Sequence, residues 1–95
     1  MRVEQIKTHL IRVLENHYAF EQFEFDDMTR GKVVKELDID SIALLELFLV
    51  IEEAFELDMK LSDRLDMKLL MDSPIEKLFD VVSLEIFEIY KEELR

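Results

Sequence analysis

The chain of 95 residues contains no cysteine, no tryptophan, one glycine and one proline. Without cysteine there can be no disulfide, no thiolate metal ligand and no thiol nucleophile. With so little glycine and proline, the tight turns between short strands are hard to build, and an all-β fold is disfavoured. Long apolar runs are also missing. The longest uncharged one, Leu47 to Ile51, is far too short to cross a membrane.

Positive charge is the other scarce property. The chain has 12 basic residues against 23 acidic ones, and its formal net charge is −11. Such a surface repels nucleic acid and anionic lipid, so we expect no nucleic-acid partner, no membrane insertion, and protein partners with basic patches. The first ten residues mix charged with apolar side chains, unlike a secretion signal, which predicts a cytoplasmic location. The length and the apolar content of 49% predict one folded domain, residues 1–95.

The spacing of the apolar residues predicts an all-α fold. The predicted stripe of the first helix is Val3, Ile6, Leu10, Val13, Leu14 and His17. The predicted core stripe of the last helix is Ile75, Leu78, Phe79, Val82, Ile86, Ile89 and Tyr90. In chain order, the predicted elements are a helix from about Arg2 to Tyr18, a helix from about Ser41 to Phe55, a short helix from Asp63 to Leu70 capped by Ser62, and a last helix that begins with the capping box Ser73-Pro74-Ile75-Glu76. In residues 19–36 the apolar residues follow no regular spacing. This stretch is predicted as a long ordered loop with three core-facing aromatic residues: Phe20, Phe23 and Phe25. The expected architecture is a small four-helix bundle.

The predicted second helix has apolar residues on two sides. At about 100° per residue, one arc carries a core face: Leu44, Leu47, Phe48, Ile51, Ala54 and Phe55. The opposite arc mixes aliphatic side chains with carboxylates: Ile42, Leu45, Glu46, Leu49, Glu52, Glu53 and Glu56. An apolar centre inside a charged rim is typical of a transient docking surface. Single exposed leucines are also normal on soluble proteins, so both interpretations stay open.

Ser41 follows Asp40 at the predicted start of this helix. Either side chain can serve as the N-cap. An anion attached to Ser41 would also be favoured there by unpaired N–H groups and by the positive end of the helix dipole. A catalytic serine is not expected, because no G-x-S-x-G elbow surrounds it and only His9 and His17 are available as bases. No metal site is expected, since these histidines are not spaced as a pair and the acidic loop before Gly31 lacks calcium ligands.

The surroundings of Ser41 resemble those of the attachment serine in the acyl carrier protein family. The family's Asp-Ser-Leu signature stands here as Asp40-Ser41-Ile42, and Leu37 precedes the serine by four residues, as the family's leucine does. The acids, core leucine and phenylalanine of the family's recognition helix have counterparts in Glu46-Leu47, Glu52-Glu53 and Phe55. The stretch SPIEKLFDVV resembles the start of the family's last helix. The likeness covers roughly residues 33–82, and its combined spacing is more specific than the tripeptide alone.

The resemblance implies a carrier and not an enzyme. A phosphopantetheinyl transferase would attach 4′-phosphopantetheine covalently to Ser41, beside Asp40. The thiol of this group would carry acyl intermediates as thioesters to acyl-transferring and acyl-modifying enzymes with basic docking patches. By the same resemblance, the carrier would be a monomer, and its partner-binding residues would be those of the second helix: Ile42, Leu45, Glu46, Leu49, Glu52, Glu53 and Glu56.

Two departures from the family pattern point to a specialised role. Asp38 stands where the family usually has a glycine, and Ala43 stands where an acid is common. Both positions flank the attachment serine. The resemblance therefore implies a specialised fatty-acid or polyketide-type pathway. The alternative is an unmodified acidic helical adaptor, in which Ser41 is only a cap and the glutamates of the second helix bind a basic protein.

Two groups of residues keep more than one interpretation. Three methionines surround the predicted short helix, where the family opens an acyl cavity, and they serve equally well as ordinary core residues: Met59, Met67 and Met71. Three apolar residues form a second strip on the last helix: Leu84, Phe87 and Leu94. This strip fits a docking or dimer surface, or packing against the long loop or the short helix.

Overall fold

The computed structural model describes residues 2–15, 31–37 and 39–93. These residues form four α-helices, α1 (Val3–Glu15), α2 (Ser41–Ala54), α3 (Met67–Met71) and α4 (Ile75–Glu93), and two 3-10 turns at Val34–Leu37 and Leu61–Asp63. No strand occurs in this part of the chain; a single isolated bridge joins Val33 to Pro74. The small all-α fold predicted from the sequence is confirmed. The three loop phenylalanines, His17 and Leu94 lie outside the described residues.

Helix α1 packs against both α4 and α2. Its buried residues are Ile6, Leu10, Ile11 and Leu14, so the predicted stripe is confirmed at its centre. Val3 and Val13, also assigned to that stripe, are half-buried, and Ile11 takes part in the core instead. An ion pair of 2.6 Å between Lys7 and Asp80 joins the outer edges of α1 and α4.

Helix α4 contributes buried residues to the core along most of its length. Six residues of its predicted stripe are buried: Ile75, Leu78, Phe79, Val82, Ile86 and Ile89. The seventh, Tyr90, is half-buried, and its hydroxyl donates a hydrogen bond of 2.9 Å to the Phe55 carbonyl at the end of α2. No helix in the described residues is long and apolar enough to span a membrane.

The predicted cap and bounds of the short helix are wrong. Helix α3 begins at Met67, and the Asp66 carboxylate accepts a hydrogen bond of 3.0 Å from the Leu69 N–H. Ser62 lies instead within the second 3-10 turn. Both residues are good N-caps by type, but only Asp66 is followed directly by a turn that continues as α-helix.

The capping box predicted at the start of α4 is also not formed. The Ser73 hydroxyl donates to the Leu69 carbonyl in α3 at 2.7 Å, and the Glu76 carboxylate faces Lys7 at 3.8 Å. The start of α4 is instead held by the chain before α2. The Ile75 N–H donates to the Lys32 carbonyl at 2.8 Å, and the Val34 N–H donates to the Ser73 carbonyl at 2.9 Å. These bonds fix the segment that leads to the start of α2.

Helix α2 ends in a Schellman arrangement. The Leu57 N–H donates to the Glu52 carbonyl at 2.9 Å, and the Glu56 N–H donates to the Glu53 carbonyl at 3.2 Å. Glu56 has φ 53°, the left-handed conformation that glycine adopts with less strain. A glutamate at this position adds a third carboxylate, after Glu52 and Glu53, near the end of α2, where the helix dipole is already negative.

Candidate functional site

Ser41 is the first residue of α2, and its side chain is exposed. The cap is Asp40, whose carboxylate accepts a hydrogen bond of 2.7 Å from the Ala43 N–H. Of the two capping residues that the sequence allowed, the structure therefore selects Asp40. The Ser41 hydroxyl has no hydrogen-bond partner among the described residues, and this exposed residue lies at the positive end of the helix dipole.

A surface cleft of about 360 Å³ lies beside this helix start, between the first 3-10 turn and the end of α3. It is lined by Lys35, Ile39, Asp40 and Met71. The Lys35 ammonium is 2.9 Å from the Asp72 carboxylate, and this hydrogen bond and the charge of Asp72 raise the pKa of Lys35. Sequence reasoning did not single out Lys35. Its partner is 37 residues away, and no local pattern links the two.

The outer arc of α2 exposes its aliphatic residues. Exposed fractions are 67% for Ile42, 43% for Leu45 and 57% for Leu49. On the opposite arc Leu44, Leu47, Phe48, Ile51 and Phe55 are all buried. The exposure predicted from the helical wheel is thus confirmed for these aliphatic and aromatic residues, whereas the prediction for Ala54 is wrong. Ala54 is exposed, because α2 ends there and the short side chain does not reach the core.

Carboxylates surround the apolar residues at the C-terminal end of this outer arc. Glu53 and Glu56 are exposed, whereas Glu46 and Glu52 are half-buried. A groove of about 640 Å³ lies at this end, and its described lining contains no basic residue: Leu49, Val50, Glu52, Glu53, Glu56, Leu57 and Asp58. Such a groove attracts cations and offers them an apolar floor.

A second cleft, of about 200 Å³, lies between α2 and the second 3-10 turn. Its lining is Leu45, Phe48, Leu49, Glu52, Lys60 and Ser62. The Glu52 carboxylate accepts a hydrogen bond of 3.0 Å from the Leu61 N–H, which connects the outer arc of α2 to this turn. Lys60 and the Leu61 contact were not predicted, because the residues between Phe55 and Ser62 show no periodic pattern.

The methionines around the short helix have different surroundings. All three are half-buried and pack against the core: Met59, Met67 and Met71. Met71 also lines the cleft beside Asp40, and the Met59 sulfur accepts a hydrogen bond of 3.2 Å from Arg64. All three thus take part in core packing, and Met71 also lines a surface cleft.

The other described candidates are His9 and the apolar strip on α4. His9 is exposed, and its ring meets the Phe55 ring edge-on at a centroid distance of 5.0 Å. Within the described ranges no group of histidine and carboxylate side chains is placed to hold a metal ion. Leu84 of the α4 strip is 52% exposed, whereas Phe87 is half-buried, with the Lys91 ammonium 5.9 Å from its ring centroid.

Comparisons with known proteins found no relative of the chain. No protein-family model matches the chain, and no curated protein or solved structure is significantly similar to it.

Proposed function

We propose that this protein is an acyl carrier whose prosthetic arm is attached to Ser41. The observation that carries the proposal is that the helix cap at the start of α2 is Asp40 and not Ser41. Asp40 caps the helix through the Ala43 N–H at 2.7 Å, so the exposed Ser41 hydroxyl is not needed for folding. A phosphodiester on this oxygen would lie at the positive end of the helix dipole, where an anion is favoured.

The immediate surroundings leave room for such an arm. The cleft of about 360 Å³ beside Asp40 is lined by Ile39 and Met71 on its apolar side and by Lys35 on its charged side. Ser41 would hold 4′-phosphopantetheine, and the terminal thiol of that group would supply the thioester chemistry that the cysteine-free chain lacks. The donor would be coenzyme A. As the Ser41 oxygen forms its bond to phosphorus, adenosine 3′,5′-bisphosphate leaves and the hydroxyl proton passes to the transferase.

The outer face of α2 supports the same proposal. The exposed Ile42, Leu45 and Leu49 follow Ser41 on one side of the helix, within a rim of carboxylates. Partners with basic docking patches would be steered by the rim and bound by the apolar centre. A carrier must leave each enzyme quickly, and an interface of a few exposed leucines suits brief contacts.

The test is the intact mass of the purified chain after incubation with coenzyme A, magnesium and a broad-specificity phosphopantetheinyl transferase. The proposal predicts one added phosphopantetheine in the wild type and in Ser62→Ala, and none in Ser41→Ala. Ser62 is the matched control because it is a partly exposed serine outside the helix start. Modification of Ser41→Ala, or no modification of the wild type, would contradict the proposal.

The same exposed face also fits the alternative of an unmodified acidic adaptor. Under that alternative, the wild type gains no mass. A basic partner would still bind through Glu46, Glu52 and Glu53, and Ser41→Ala would not weaken that binding. The mass experiment therefore separates the two functions.

A further inference from the structure

Lys35 brings a positive charge to the start of α2. Among the described residues that line the cleft beside Asp40, Lys35 is the only basic one. Asp40 directly precedes Ser41, so the Lys35 side chain and the proposed attachment site border the same space of about 360 Å³. The side chain of Lys35 is 60% exposed, and a group attached to Ser41 can therefore reach its ammonium without displacing any part of the core.

The backbone that carries Lys35 is held in place by its neighbours on both sides. The Val34 N–H donates to the Ser73 carbonyl at 2.9 Å. The Ile75 N–H donates to the Lys32 carbonyl at 2.8 Å. These bonds fix the first 3-10 turn against the segment that joins α3 to α4. Only the long side chain of Lys35 then has to adjust when a ligand enters the cleft.

Asp72, the C-cap residue of α3, holds the Lys35 ammonium at a distance of 2.9 Å. This hydrogen bond and the charge of Asp72 raise the pKa of Lys35, so the side chain remains a cation. An ammonium has three N–H donors, and Asp72 is its only hydrogen-bond acceptor among the described residues. Lys35 can therefore bind a second anion and still keep its bond to Asp72.

Modification of Ser41 creates a need for such a cation. A phosphodiester on the Ser41 oxygen is an anion, and the Asp40 carboxylate beside it already accepts the Ala43 N–H at 2.7 Å. The chain as a whole has a formal net charge of −11. Neighbouring anions repel each other, and a cation within a few ångströms offsets that repulsion. Lys35 is the cation that the cleft supplies for this purpose.

We propose that Lys35 positions the phosphate of the prosthetic arm: its ammonium donates a hydrogen bond to the phosphodiester on Ser41, while Asp72 keeps it at the cleft. This inference rests on the proposed function and assigns a role to a residue of the chain that the proposed function leaves open. The contact holds the phosphate end of the arm near the protein. Because it is an exposed contact between charges, salt weakens it, and an enzyme with a basic docking patch can replace it.

The test compares the thermal unfolding of the full chain before and after modification, once intact mass has shown that addition is complete. Modification should raise the Tm of the wild type by about 2–4 °C more than that of Lys35→Met. Lys35→Arg keeps the cation and should regain most of this difference. The matched control is Lys91→Met, because Lys91 is an exposed lysine on α4, about 24 Å along the helix from Ile75. It should respond to modification as the wild type does.

Phosphorus NMR of the modified chains gives a second measurement. The line of the phosphodiester should be broader in the wild type than in Lys35→Met, because a bound phosphate tumbles with the protein. Added NaCl should narrow the wild-type line toward that of Lys35→Met, a comparison that needs no substitution in the protein. If the wild type gains no phosphopantetheine, the proposed function fails, and this inference fails with it. If it is modified but shares its Tm increment or its line width with Lys35→Met, only this inference is overturned.

Discussion

The two faces of α2 contain similar side chains with opposite surroundings. Ile51 on the inner face is 2% exposed, and Leu49, two residues earlier, is 57% exposed. A leucine that stays mostly in water contributes little to folding, because it gains little burial. Ile42, Leu45 and Leu49 are exposed on successive turns of the helix, within a rim of four glutamates, and this pattern is the basis for the proposal that the outer face contacts other proteins. The inner face contributes to the core, and the outer face does not.

The largest expected effect comes from truncating the inner face. Ile51→Ala should lower the free energy of unfolding by about 2–5 kcal/mol, because it removes buried methyl groups and leaves a cavity. Leu49→Ala, the matched change on the outer face, should lower it by no more than about 0.5 kcal/mol. Urea denaturation of both variants measures the difference. Equal losses would mean that the two faces are not distinct.

Exposed apolar side chains on α2 contrast with a buried polar side chain on α4. Ser83 of α4 is fully buried, and its hydroxyl has no hydrogen-bond partner among the described residues. Ser83→Ala should raise the free energy of unfolding by about 1–2 kcal/mol, because an unpaired buried hydroxyl is removed and alanine is the better helix former. Ser62→Ala, at a half-buried position outside the helices, should leave stability nearly unchanged. A destabilised Ser83→Ala would show that the hydroxyl has a partner in solution.

The start of α2 offers a third comparison, between neighbouring residues. Asp40→Ala should cost about 1 kcal/mol of stability, since it removes the acceptor for the Ala43 N–H. Asp40→Asn should keep most of that stability, because the amide oxygen still accepts this bond. Ser41→Ala should cost only a few tenths of a kcal/mol, because Ser41 is not the cap. Thermal melts of the three variants measure these effects, and a larger loss in Ser41→Ala than in Asp40→Ala would reverse the assignment.

The smallest effect concerns the charge of the outer face. Replacing Glu46 and Glu53 by lysine should slow phosphopantetheine transfer roughly threefold to tenfold at low salt, because steering of a basic transferase is lost. Added salt should slow the wild type and affect this double variant less. Lysine at Glu4 and Glu15, exposed positions on α1, changes the net charge equally and is the control. Equal slowing in both double variants would show that only net charge matters.

The sequence was informative where a local rule dominates. The bounds of α2, its two faces and the core stripe of α4 follow from a helical period sustained over several turns. The cap of α3 did not follow, because Ser62 and Asp66 are equally good caps by type and the helix is too short for a period to choose between them. The same limit applies to Ser73, whose hydroxyl bonds to Leu69 in α3 instead of closing a capping box.

Contacts between residues that are far apart in the sequence could not be predicted. The pairing of Lys35 with Asp72 and of Arg64 with Glu92 depends on how α3 and α4 fold back on the rest of the molecule. In an acidic chain each base has many possible partners, and sequence alone does not rank them. The exposure of Ser41 also needed the structure, since either it or Asp40 could have been the cap.

The most direct test of the account is the rate of phosphopantetheine transfer to Leu49→Ala beside that to Leu69→Ala. These two leucines are 57% and 56% exposed, so their truncation should be equally harmless to folding. Only Leu49 lies on the outer face of α2. We predict that kcat/KM for transfer falls about tenfold in Leu49→Ala, as for a central interface residue, and stays at the wild-type value in Leu69→Ala. Equal rates for the two variants would contradict the assignment of the outer face of α2 to partner recognition.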